Sequence, residues 1–292
     1  MIGKPALERN EKEWGKAMAK SEYNFKPEEA YNIIEKHWRD WAESVHANGF
    51  VIGISGGVDS TVVAALAAKF FGKEHVIGVK MPNGKQTDYA DAMRVCDELG
   101  IKSCVVNIGK AFEEIIDEVT YCALEPLGIK KASYDTTTNL PARLRMSTLY
   151  AVAQSLGYMV LNTCNTSEST VGYDTLWGDD AGSYAPIQGL TKTEVIALGD
   201  FLGLPKELTH KTPVDGLQPL TDEEKLGFTY AALDLYIRQD EGSKRLKAVI
   251  DDLYLRNKFK TDIVQIPHPD FDYLGNFVRY NNLPDVRVAK KL

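Results

Sequence analysis

A chain of 292 residues with 44% hydrophobic side chains is long enough for one large or two ordinary domains around a sizeable core. Its 34 basic and 41 acidic residues give a formal charge of −7. That excludes the broad basic surface of a non-specific nucleic-acid binder, but not local basic clusters around an anionic substrate.

Residues 1–26 read as an N-terminal extension and 27–292 as a single domain. The domain divides into a nucleotide-binding core of about 50–203 and a C-terminal loop and helices over 204–292. From Pro27, the residues Tyr31, Ile34, Trp38, Trp41 and Val45 recur by threes and fours, which predicts a helix ending at Asn48-Gly49. Phe50 to Ile54 is an apolar strand, and Thr61 to Phe70 an Ala- and Val-rich helix stopped by Gly72. Strand and helix candidates then alternate: strand 75–82, helix 88–100, strand 101–108, helices near 110–124 and 141–156, and strand 158–163. Strands that are apolar throughout and alternate with helices predict a doubly wound parallel sheet covered on both faces. Its ligands belong at the carboxyl ends of the strands.

Residues 164–190 and 204–222 are rich in Gly, Ser, Thr, Asp and Pro. They are expected to be irregular lids that order over a bound ligand. Two helical stretches, 222–239 and 244–259, follow. Four cysteines (Cys96, Cys104, Cys122, Cys164) lack metal-ligand spacing, so free buried thiols in a reducing compartment are expected. The polar start MIGKPALERNEKEW and the lack of any 18-residue apolar run predict a soluble, cytoplasmic chain with no membrane contact.

The chemistry concentrates in SGGVDS, residues 55–60, between the first strand and its helix. A helix N-terminus leaves backbone N–H groups without partners and carries the positive end of the helix dipole, which suits phosphate oxygens. Gly56 and Gly57 let the backbone approach without a Cβ, and Ser55 and Ser60 add hydroxyls. Asp59 would repel phosphate unless a divalent cation lay between them, so it is a candidate Mg²⁺ ligand. The loop is shorter than the GxxxxGK[ST] phosphate loop and lacks its lysine.

SGGVDS resembles the pyrophosphate-binding loop of the N-type ATP pyrophosphatase family, which splits ATP into AMP and pyrophosphate to adenylate a substrate. Four further stretches resemble the NAD synthetases of that family: VKMPNGKQTDYADA (79–92), NLPARLRMSTLYAVAQ (139–154), the segment from Asn162 to Val195 containing GYDTLWGDD and LTKTEV, and HKTPVDGLQPLTDEEKLGFTY (210–230). The resemblance spans roughly residues 27–240, in order. It implies an adenine nucleotide alpha hydrolase-like α/β fold and ATP-dependent amidation of deamido-NAD by ammonia, with AMP and pyrophosphate released.

Carried onto this chain, the resemblance implies a catalytic set of Asp59, Lys192 and Asp179, with Mg²⁺ on Asp59 and Glu168. It implies ATP contacts from Ser55, Gly56, Gly57, Asp59, Ser60, Lys80, Gln86, Thr163, Lys192 and Lys211. For deamido-NAD it implies Trp41, Asn139, Arg143, Tyr173, Asp179 and Lys260, and for the assembly a homodimer. A forked guanidinium such as that of Arg143 suits a carboxylate or phosphate. Departures from the family pattern fall at Lys80, Leu176, Ser183 and Val214. No stretch has the length of an amidase domain, so ammonia rather than glutamine is the expected nitrogen source. Two rival readings use the same loop: a tRNA-modifying or other adenylating enzyme, which would want a basic surface, and a non-catalytic adenine-nucleotide module, which would need no second metal carboxylate.

Overall fold

The computed structural model describes residues 24–85, 90–211, 221–263 and 265–271, with the Ile263 side chain excepted. Helix α1, Pro27–Ser44, turns Ala30, Ile34, Trp38 and Ala42 inward at intervals of four. Strand β1 (Phe50–Gly53) leads through the SGG loop into α2 (Val58–Phe71), which is buried along nearly its whole length. Next come β2 (Val76–Lys80), α3 (Ala90–Leu99), β3 (Lys102–Val105) and α4 (Gly109–Glu118). Then α5 (Tyr134–Leu156) precedes β4 (Met159–Leu161) and the short α6 (Thr166–Val171). Helices α7 (Lys192–Phe201), α8 (Lys206–Thr209), α9 (Asp222–Leu226), α10 (Tyr230–Gln239) and α11 (Lys244–Ile263) complete the order.

The four strands form a parallel sheet in the order β3-β2-β1-β4, with Phe50 paired to Val76 on one side and to Met159 on the other. The chain winds one way from β1 to β3 and then crosses to β4 on the opposite side of β1, so the switch point lies between β1 and β4. One face carries the main core, in which Phe50 and Ile52 meet Trp38, Val62, Leu66 and Tyr184. The other packs Val51, Val79 and Val160 against Ala153 of α5. A third cluster joins Val171 to Phe228, between α9 and α10, and to Leu233, Tyr236 and Ile250 of the C-terminal helices.

Several expectations are corrected. Strand β3 is not covered: all four of its residues are exposed at one edge of the sheet, whereas the other edge strand, β4, is largely buried. Helix α5 begins seven residues before position 141. The Ser133 hydroxyl accepts from Thr136 N at 3.1 Å as its cap, and Pro141 is carried inside the helix. Asn139 therefore lies within α5 rather than upstream of it. The stretch 222–239 is two helices broken at Gly227, where φ is +82°. The segment 164–190 is largely turns and loops, but it also holds α6 and many buried residues. The cysteines are free, but only Cys96 and Cys164 are buried; Cys104 and Cys122 are exposed. Among the described residues no helix is long and apolar enough to cross a membrane.

Candidate active site

The SGG loop is shaped by its own hydroxyls. Gly57 N donates to Ser55 Oγ at 3.1 Å, and Ser60 Oγ donates to Gly57 O at 3.1 Å while lying 3.1 Å from Ser55 Oγ. Ser60 is buried and committed to the turn, whereas Ser55 is exposed at its mouth. The first intrahelical bond of α2 is Thr61 N to Gly57 O, so the first-turn amides have no partners within the helix. Gly56 holds φ +83°, and a Cβ there would sit 2.9 Å from Asp91 Cβ and 3.0 Å from Ala92 N. A Gly56→Ala variant is expected to lose about 1–3 kcal/mol of stability from backbone strain and contact, read as a lower denaturant midpoint.

Across the switch point, three charged groups meet. Lys192 Nζ is 2.6 Å from Asp59 Oδ2 and 2.8 Å from Glu168 Oε1. The lysine side chain is 4% exposed and the two carboxylates 15% and 16%. Asp59 comes from the first turn of α2 after β1, Glu168 from α6 after β4, and Lys192 from the start of α7. Asn165 secures two of them: its Nδ2 donates to Asp59 Oδ1 at 2.8 Å, and its Oδ1 caps α6 by accepting from Glu168 N at 3.1 Å. The Tyr230 ring lies 5.0 Å from Lys192 Nζ, and its buried hydroxyl has no partner among the described residues.

Two carboxylates around one ammonium leave the cluster with a surplus negative charge. Burial, with Asp59 adding to it and Lys192 opposing, pushes Glu168 up to about 7. Burial pulls the other way on Lys192, but Asp59 and Glu168 outweigh it and raise the ammonium above its usual value. Among the described residues no group of three or more His, Cys, Asp or Glu gathers as a metal cage. A pair of hard oxygen donors fits Mg²⁺ all the same, since that ion takes one or two carboxylates and fills its other positions with water and substrate phosphates.

A second group forms where α5 meets residues 174–180. Asn139 Oδ1 accepts from Thr175 Oγ1 at 3.0 Å, and Arg143 Nε donates to the Leu176 carbonyl at 3.1 Å. Asp179 is exposed as a residue, but the protein packed around its carboxyl desolvates and raises it, and Oδ1 accepts from Thr175 N at 2.9 Å. Trp177, half exposed, holds φ +60° in the same turn.

The NAD synthase family model matches residues 30–268. This chain belongs to the NAD synthase family. It is 42% identical over 193 residues to the NH(3)-dependent NAD(+) synthetase of Thermococcus sibiricus, covering 66% of this chain and 72% of the relative. Its fold matches the NMN synthetase of Francisella tularensis with a TM-score of 0.73 at 32% identity, covering 84% of this chain and 99% of that one. It also matches the NH3-dependent NAD synthetase of Campylobacter jejuni with a TM-score of 0.66 at 25% identity, covering 83% and 99%.

In this NAD synthase family member the predicted residues divide. Asp59, Glu168 and Lys192 converge, beside Ser55, Gly56 and Gly57. Lys211 pairs with Asp91, whose Cβ borders Gly56, so it stands next to the loop. Thr163 is half-buried just after β4. Lys80 is buried instead, its Nζ 2.8 Å from Ser103 Oγ on β3, apart from the lysine–carboxylate cluster. Trp41 is stacked on Tyr184 with ring centroids 4.7 Å apart, packed against the main core rather than with Asn139 and Arg143. Tyr173 donates to Asp222 Oδ1 at 3.0 Å, and Lys260 is spent on the Gly172 and Asp174 carbonyls at 2.8 and 2.7 Å and on the Asp174 carboxylate. Of the departures, Leu176 gives its carbonyl to Arg143, and the Ser183 hydroxyl accepts from Val160 N at 3.2 Å beside β4. Gln86 and Val214 lie outside the described residues.

Sequence reasoning missed Asn165, Ser167, Tyr230, Asp234 and Arg238. Asn165-x-x-Glu168 is legible as a helix-capping box. Tyr230, Asp234 and Arg238 are spaced by four, which places them on one helix face.

Proposed function

We propose that this NAD synthase family member joins ammonia to the nicotinate carboxylate of deamido-NAD at the expense of ATP, forming NAD, AMP and pyrophosphate. The observation that carries the reading is the convergence of Asp59, Glu168 and Lys192 at the β1/β4 switch point, beside a glycine loop at a helix N-terminus. A carboxylate is a poor electrophile, so its oxygen first attacks the α-phosphorus of ATP and pyrophosphate departs. Neutral ammonia then attacks the acyl carbon of the adenylate, AMP leaves, and the surplus proton passes to water.

Charge grows on phosphate and acyl oxygens in both steps, and electrostatic stabilisation there dominates the acceleration. Ser55, the Gly56 and Gly57 backbone and the first-turn amides of α2 bind the departing pyrophosphate, while Lys192 and Lys211 neutralise it. Asp59 and Glu168 would hold Mg²⁺, which supplies Lewis-acid neutralisation of phosphate oxygens when bound. Asn139 and Arg143 hold the dinucleotide, with Asp179 at its nicotinate end. The reading includes a homodimer in the cytoplasm, with residues 27–292 acting as one domain.

The likeness to an NMN synthetase favours a second reading, in which the same chemistry acts on nicotinate mononucleotide. Incubation with Mg-ATP, ammonium and either acceptor separates the two. The main reading expects NAD, AMP and pyrophosphate in equal amounts, and a higher kcat/KM for deamido-NAD than for the mononucleotide. ADP and phosphate as products would overturn both.

A further inference from the structure

Helix α10 presents a buried stripe to the start of α7. Asp234 Oδ2 accepts from Thr193 N at 2.8 Å and Oδ1 from Ser167 Oγ at 2.5 Å. Ser167 Oγ in turn accepts from Lys192 N at 2.9 Å. One turn further on, Arg238 Nε and Nη2 lie 2.7 Å from the two Glu194 oxygens, and Nη2 also donates to the Gly189 carbonyl at 2.7 Å. One turn back, the Tyr230 ring faces Lys192 Nζ. The three α10 residues thus grip the first turn of the helix that begins with the site's lysine.

A lysine at a helix N-terminus is disfavoured by the helix dipole, and the first-turn amides of α7 lack intrahelical partners. A buried carboxylate at that point offsets both. Asp234 is only 4% exposed, and its two oxygens are engaged by Ser167 Oγ and Thr193 N. We propose that Asp234 is a positioning residue for Lys192, acting through Thr193 N directly and through Ser167 on Lys192 N. The proposal rests on the catalytic reading of Lys192 given above. Its importance follows from geometry: a shift of about 1 Å in a charge-stabilising group costs up to about 100-fold in rate.

The test measures Asp234→Asn and Ser167→Ala in the full chain, each in the native and the Lys192→Met backgrounds. In the native background kcat falls about tenfold while KM for deamido-NAD changes less than about twofold, the pattern of a lost transition-state interaction. In the Lys192→Met background the same substitutions change the residual rate by less than about twofold, because the path ends at the missing ammonium. Equal losses in both backgrounds overturn the proposal, as does a loss confined to thermal stability. An independent arm follows acylation of Lys192 by a small amine-reactive ester, read by peptide mass spectrometry. Asp234→Asn and Ser167→Ala should label several-fold faster than the native protein, and unchanged labelling overturns the proposal. Native turnover by Lys192→Met would instead remove the catalytic reading of Lys192, leaving the labelling arm to judge the positioning. Ser167→Ala, which removes one hydroxyl, carries the test if Asp234→Asn does not fold.

Discussion

A Lys192→Met variant is expected to release pyrophosphate roughly 100- to 1,000-fold more slowly than the native enzyme, the usual cost of deleting one donor aimed at developing charge. The same variant should acquire a pH-sensitive stability. Lys192 now faces both Asp59 and Glu168, and it is the principal influence holding Glu168 down against burial. Without the ammonium, two carboxylates share one pocket, and one of them must take up a proton. The folded protein then binds that proton more tightly than the unfolded chain does, so its stability falls as pH rises from about 4.5 and goes on falling above about 7, where the native protein's loss from Glu168 has levelled off. Melting midpoints at pH 6 and pH 8 check this: the variant should lie near the native protein at pH 6 and well below it at pH 8. Added Mg²⁺ should recover part of the gap at pH 8, by binding the folded state alone. Native-like pyrophosphate release would remove Lys192 from the chemistry.

How much of this was legible beforehand depends on whether a feature is local. The SGG loop was, because β1, two glycines and a helix stopped by Gly72 lie within 25 residues and local rules govern them. The alternation of strands and helices also gave the sheet, and with it the side on which Asp59 and Glu168 would meet. What failed was the reading of burial from apolarity. Lys102–Val105 passes for a covered strand, yet all four residues are exposed where the sheet ends at β3, while β4 at the opposite edge is largely buried. Pro141 looks like a helix start, but Ser133 caps the helix eight residues earlier, and the helix carries the proline in its interior at the cost of one backbone hydrogen bond. Trp41 and Lys80 have the right chemistry for a ligand, yet Tyr184 and Ser103, distant in sequence, claim them. The Asp234–Ser167 bond, 67 positions apart, has no local signature except the four-residue spacing on α10. Side chains that bind ligand and those that hold a binding side chain are the same residue types. Only the contacts separate them.

A Glu168→Gln variant should move stability and activity in opposite directions. Three groups carrying one positive and two negative charges are crowded behind a largely buried surface, and the surplus falls on Glu168. Burial raises its carboxyl from 4.5 to about 7 even with Lys192 at 2.8 Å, so at pH 8 the folded state holds an anion that the unfolded chain would hold more easily. The sign follows from proton counting. Between pH 4.5 and about 7 the folded state binds more protons than the unfolded one, so Glu168 costs nothing at the acid end and its cost grows until pH passes 7. Glutamine keeps the shape, leaves Lys192 paired one-to-one with Asp59, and removes that cost. The variant should therefore gain on the order of 2–3 kcal/mol at pH 8, with most of the gain gone by about pH 5. Denaturant unfolding at the two pH values, without divalent cation, measures it. Turnover should fall on the order of 100-fold, with saturation by Mg²⁺ shifted to higher concentration, because one of the two proposed hard donors is lost. A protein whose surplus charge is there to receive a cation is less stable without that cation than its neutralised variant. Equal stability of native and variant protein at pH 8 would mean that the three groups are already balanced, and the surplus would then have no part in binding the metal.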